Sequence, residues 1–67
     1  METTIMESTP KNGVRYRLVE RIISFDIEKI IGDRTYLIAR FVISEHSPKG
    51  FSQEHAEEYY GKVVHQI

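Results

Sequence analysis

Between Val14 and Ile43, 17 of 30 residues are apolar, and the last strand read from this block, Tyr36 to Ile43, is apolar on both faces. Such a stretch must be buried from more than one side, and a short chain has little with which to do it. Nine Ile and five Val against two Leu bias the apolar residues towards pleated, half-buried strands. Val14, Tyr16 and Leu18 alternate with Arg15, Arg17 and Val19, a period of two. The phase slips before Ile23, Phe25 and Ile27, which requires a bulge near Arg21-Ile22 or two separate strands.

Gly32-Asp33 then separates two apolar runs and predicts a hairpin. A three-residue loop over Gly32 to Arg34 sets Ile31 opposite Thr35, Ile27 opposite Ala39, Phe25 opposite Phe41 and Ile23 opposite Ile43. It also faces Asp26 with Arg40, an opposite-charge pair worth a few tenths to about 1 kcal/mol. A two-residue loop pairs Phe25 with Arg40 instead. The rival reading of Leu18 to Ile31 as one helix spreads apolar residues over more than half the wheel, too broad for an amphipathic stripe. A shorter variant, one or two turns capped by Asp26 and ended at Gly32, stays open.

The flanks differ from this block. Met1 to Gly13 holds only three apolar residues and closes with Pro10-Lys11-Asn12-Gly13, so it reads as a flexible arm ending in a turn. In the last third, Ser47-Pro48-Lys49-Gly50 reads as a turn and Ser52 as a helix N-cap. Glu54, Glu57 and Glu58 then suit the positive end of the helix dipole. Ala56, Tyr60, Val63, Val64 and Ile67 form one stripe, interrupted only by Gly61. The expected architecture is α+β: a flexible arm over 1–13, then one small domain over 14–67. Within it, a two- to three-stranded antiparallel sheet turning at Gly32-Asp33 carries a C-terminal helix.

At 67 residues without cysteine, the chain has no disulfide or thiolate site. It also lacks an apolar run of about 18 residues that could span a membrane, and a basic-then-apolar leader, which predicts a cytoplasmic protein. Cores of this size rarely supply more than about 3–5 kcal/mol, so oligomerisation or a partner is expected. The second strand of the hairpin sharpens this: Leu37, Ala39, Phe41 and Ile43 lie on one face and Tyr36, Ile38 and Val42 on the other. One helix covers one face. The other predicts a homodimer or a larger protein partner, with Tyr36, Ile38, Val42 and the border residue Tyr59 as contacts.

Lys11, Arg15, Tyr16, Arg17 and Arg21 form a basic, aromatic row suited to phosphates and bases, the alternative reading as a nucleic-acid-binding dimer. Such binders usually have a far larger basic excess than a chain of net charge −1. A third reading, a metal-dependent enzyme, draws on His46, His55 and Glu58, but their spacing matches no metal motif. Ser44 or Ser47 beside His46, and the Glu54/Glu58 pair, lack the enclosing pocket that catalysis needs. No catalytic residue, metal or cofactor is therefore expected. The favoured function is a small, non-enzymatic interaction or regulatory protein.

Overall fold

A computed structural model describes residues 2–65. Four strands, β1 (Thr3–Glu7), β2 (Val14–Glu20), β3 (Ser24–Ile31) and β4 (Arg34–Val42), form an antiparallel meander in chain order, followed by α1 (Lys49–His65). The α+β expectation holds, with four strands in place of two or three. The fourth is β1, in the segment expected to be an arm. It needs little apolar surface because its backbone pairs with β2, from Thr3 opposite Glu20 to Glu7 opposite Arg17. The signal for it was Asn12-Gly13, a pair suited to tight hairpins. Both residues take positive φ, 55° and 79°, as a type I′ turn requires, and Lys11 and Val14 exchange backbone hydrogen bonds across it.

The phase slip after Leu18 is a strand change, with Arg21, Ile22 and Ile23 forming a short turn closed by Arg21 N–H donating to the Ser24 carbonyl. The β3–β4 turn has two residues, not three: Ile31 pairs with Arg34, and Gly32 takes φ 61° at its first position, as in a type II′ turn. Yet Ile27 still faces Ala39, Phe25 faces Phe41 and Asp26 faces Arg40. A bulge supplies the missing residue, because Glu28 pairs with Leu37 and Ile38 has no opposite number. The bulge also corrects the faces of β4. Tyr36, opposite Lys29, lies on the side of Ile27 and Phe25, while Leu37, Arg40 and Val42 lie on the other.

The helix covers one face. Ala56 and Tyr60 pack with Tyr16, Leu18, Phe25 and Ile27, flanked by Ile5, Ala39, Phe41, Val63 and Val64. Tyr60 donates its hydroxyl to the Tyr16 carbonyl at 3.1 Å, which also accepts the Ser8 N–H, so one oxygen joins α1, β1 and β2. Four of the five predicted stripe residues pack on the sheet, and the fifth, Ile67, lies outside the described residues.

The helix begins three residues before the expected Ser52 cap. The Pro48 carbonyl accepts the Ser52 N–H at 2.8 Å, so Lys49 and Gly50 are already helical. Ser52 is buried in the first turns, with its hydroxyl donating to the Ser47 carbonyl. Glu54, Glu57 and Glu58 are consequently too far along to act on the helix dipole. Glu57 instead accepts from Gln53, and Glu58 lies 3.7 Å from Lys62.

Candidate functional site: the charged face and the β4 edge

Alternation along β2, β3 and β4 carries Arg15, Arg17, Val19, Ser24, Asp26, Glu28, Arg40 and Val42 to the face without the helix. This face was expected to be apolar and in need of cover. It is instead built from ion pairs, and its centre is closed: Asp26 and Val19 are both fully buried.

Asp26 is the hub. Arg40 donates through Nε and Nη2 to its two oxygens, both at 3.0 Å, and Arg21 Nη1 adds a bond at 2.7 Å. The Ser24 hydroxyl donates a fourth at 3.0 Å. Burial pushes the Asp26 carboxyl up, but hydrogen bonds from Arg40 and Ser24 and the charges of Arg40 and Arg21 outweigh it and hold the group below its ordinary value. Arg21 shows the converse. Burial lowers its pKa, while Glu28, Asp26 and Glu2 more than restore it. Glu28 accepts from Arg17 Nε at 2.7 Å and Arg21 Nη2 at 3.2 Å, and Glu7 accepts from Arg15 at 3.0 Å.

All three arginines of the proposed basic row are thus engaged by carboxylates of their own chain. Tyr16 faces the helix, is 91% buried by its 9% exposure, and cannot stack on a base. Lys11 sits at the β1–β2 turn, away from the paired part of β2 that carries Arg17. The acids that answer the arginines come from β1 and β3, neighbours on either side of β2, and the sheet order alone brings them there.

The partner-contact residues fare differently. Tyr36, Ile38 and Val42 are 44%, 38% and 52% exposed, as is Leu37 at 52%. They belong to β4, which is hydrogen-bonded to β3 on one side only. Tyr59 is also half-exposed and packs edge-on against Phe41 of β4, with ring centroids 5.8 Å apart, so it flanks the same strand. Phe51, also half-exposed, packs on the ring of His55. His46, His55 and Glu58 do not converge, since among the described residues no three His, Asp or Glu side chains are grouped to hold a metal.

One open pocket of about 530 Å³ lies at the end of the charged face, between Glu2, Arg21, Ile22, Ile23, Ser24, Arg40 and Val42. No residue of the turn that lines it was read as a site from sequence except Arg21. The available signal was the phase slip itself, which falls at Arg21-Ile22 and leaves Ile22 outside both alternations. Among the described residues, no helix is long and apolar enough to cross a membrane. Comparison with family models, curated proteins and solved structures finds no match for this chain.

Proposed function

We propose that this chain is a non-enzymatic interaction protein whose first partner is a second copy of itself, paired across the outer edge of β4. The observation that carries this reading is a nine-residue edge strand with four large apolar side chains exposed along it. Such an edge is a template for another strand, and monomeric proteins usually keep theirs short or charged. The opposite edge of the sheet fits that description: β1 has five residues, an irregular register at Ile5, and Glu7 held by Arg15. Because the two edges differ, pairing β4 with β4 around a two-fold axis closes a dimer, whereas β4 on β1 would run on as a filament. A dimer of this kind acts by occupying or joining protein surfaces.

The charge distribution weighs against the nucleic-acid reading. Arg15, Arg17, Arg21 and Arg40 on the helix-free side are met by Glu2, Glu7, Asp26 and Glu28, four charges of each sign. Releasing an arginine to a phosphate breaks an existing pair, which removes much of the gain.

Sedimentation velocity tests the proposal at about 1 to 100 μM, a range over which a dimer shows its concentration dependence. A dimer that Leu37→Lys converts to a monomer that still melts cooperatively supports it. A monomer throughout, or a dimer indifferent to Leu37→Lys and Ile38→Lys together, overturns it.

A further inference from the structure

We infer that the pocket beside Arg21 and Arg40 is a binding site for a carboxylate carried on an aliphatic body, and that Glu2 occupies the charged end of it when no ligand is bound. Three features of the pocket support this, although two of its residues, Arg40 and Val42, also belong to β4.

The first is charge. In the cluster around Asp26, Arg17, Arg21 and Arg40 are held at short range by Asp26 and Glu28 alone, three cations to two anions. The third anion is Glu2, which sits 3.5 Å from Arg21 and 3.9 Å from Arg17 with its side chain 52% exposed. Those separations contrast with 2.7 Å for Arg21 to Asp26 and for Arg17 to Glu28. Glu2 is therefore a loosely held carboxylate at a place where the charge balance calls for one, and loose exposed pairs contribute little.

The second is preorganisation. Arg40 uses Nε and Nη2 on buried Asp26, which fixes the plane of its guanidinium. Its Nη1 has no partner among the described residues, and Arg40 lines the pocket with half its side chain exposed. A guanidinium held on one edge and free on the other offers donors to a carboxylate at small entropic cost.

The third is the apolar wall. Ile22 and Ile23, on the β2–β3 turn, are 78% and 66% exposed, and Val42 adds a further half-exposed side chain. Bare β-branched side chains beside the free edge of the Arg40 guanidinium suit a ligand with an aliphatic body and one acid group. Free branched acids and the C-terminal residue of a polypeptide share that chemistry.

Titration of the whole protein followed by methyl and arginine NMR tests the site, with 4-methylpentanoate and N-acetyl-glycyl-leucine as the two acids and their amides as neutral controls. Expected are saturable shifts at Ile22, Ile23, Val42 and Arg40 with at least one acid and none with its amide. Glu2→Gln removes the competing carboxylate and tightens the acid by about two- to fivefold, the equivalent of a loose surface pair. Ile22→Ser, at an exposed turn position, weakens it. Tighter binding of the peptide points to a protein C-terminus as the natural source, and tighter binding of the free acid to a small metabolite. The inference is overturned if neither acid gives saturable shifts, if the amides bind as well as the acids, or if Glu2→Gln weakens binding.

Discussion

Asp26 illustrates how much one residue can come to do once its neighbours are in place. As a cross-strand partner of Arg40 it is an ordinary opposite-charge pair, but the turn at Arg21–Ile23 folds a second guanidinium onto it and burial removes the water. Replacing it with Asn keeps the shape and removes the charge, leaving Arg40 without its anion and Arg21 with Glu28 and Glu2 alone. The expected loss is about 3 kcal/mol, at the low end for breaking a buried pair because both arginines reach solvent. The pH dependence follows from the lowered pKa. The contribution of Asp26 is complete above its ordinary 3.8, where the unfolded chain is also ionised, and fades as the pH falls through the lower folded value. Chemical denaturation of both proteins should therefore show a gap that is constant near neutrality and narrows below about pH 4. Gly61 is the opposite case. It lies within α1, and a Cβ there would meet no atom within 4 Å, so Gly61→Ala should raise stability by about 0.5–1 kcal/mol, read from the same denaturation curves.

At the scale of elements, the bulge in β4 reconciles a two-residue turn with a pairing that a three-residue loop also produces. Ile38 is the extra residue, and its deletion leaves Leu37 opposite Glu28 and Ala39 opposite Ile27 in unbroken alternation. A chain lacking Ile38 should thus keep the Asp26–Arg40 pair and the core, with stability within about 1 kcal/mol of the parent. Loss of the fold in that deletion would show that the bulge is needed to bend the strand over the helix. Strand β1 depends on a different local signal. Its side chains bury little, and it is placed by the Asn12-Gly13 turn and by Ser8, whose hydroxyl accepts the Tyr16 N–H at 2.8 Å. Apolar pattern alone could not reveal such a strand, because the pattern reports burial and β1 is mostly exposed.

For the whole molecule, size is the governing fact. A sheet of four strands with one helix leaves one face without a helix, and this chain closes it with arginines and carboxylates. Of the ten large apolar residues left exposed among the described residues, four lie along β4 and two at the turn of Ile22 and Ile23. If β4 pairs between copies, folding and association are linked, and the melting temperature should rise with protein concentration for the parent chain but not for Leu37→Lys. Calorimetry over a concentration series makes that comparison directly.

Local signals in the sequence determined the β3–β4 hairpin and the stripe of α1, since turn chemistry and side-chain period act over a few residues. The Asp26–Arg40 pairing follows from a two-residue turn and a bulge in place of the expected three-residue loop. The fourth strand, β1, is marked in the sequence only by Asn12-Gly13, whose positive φ angles suit a tight hairpin. The tertiary structure alone decided what the arginines do. Arg15, Arg17 and Arg21 lie within seven residues of the chain and look like a free basic row. The acids that engage them, Glu7, Glu28 and Asp26, arrive from the two neighbouring strands, and only the order of the sheet places opposite charges side by side.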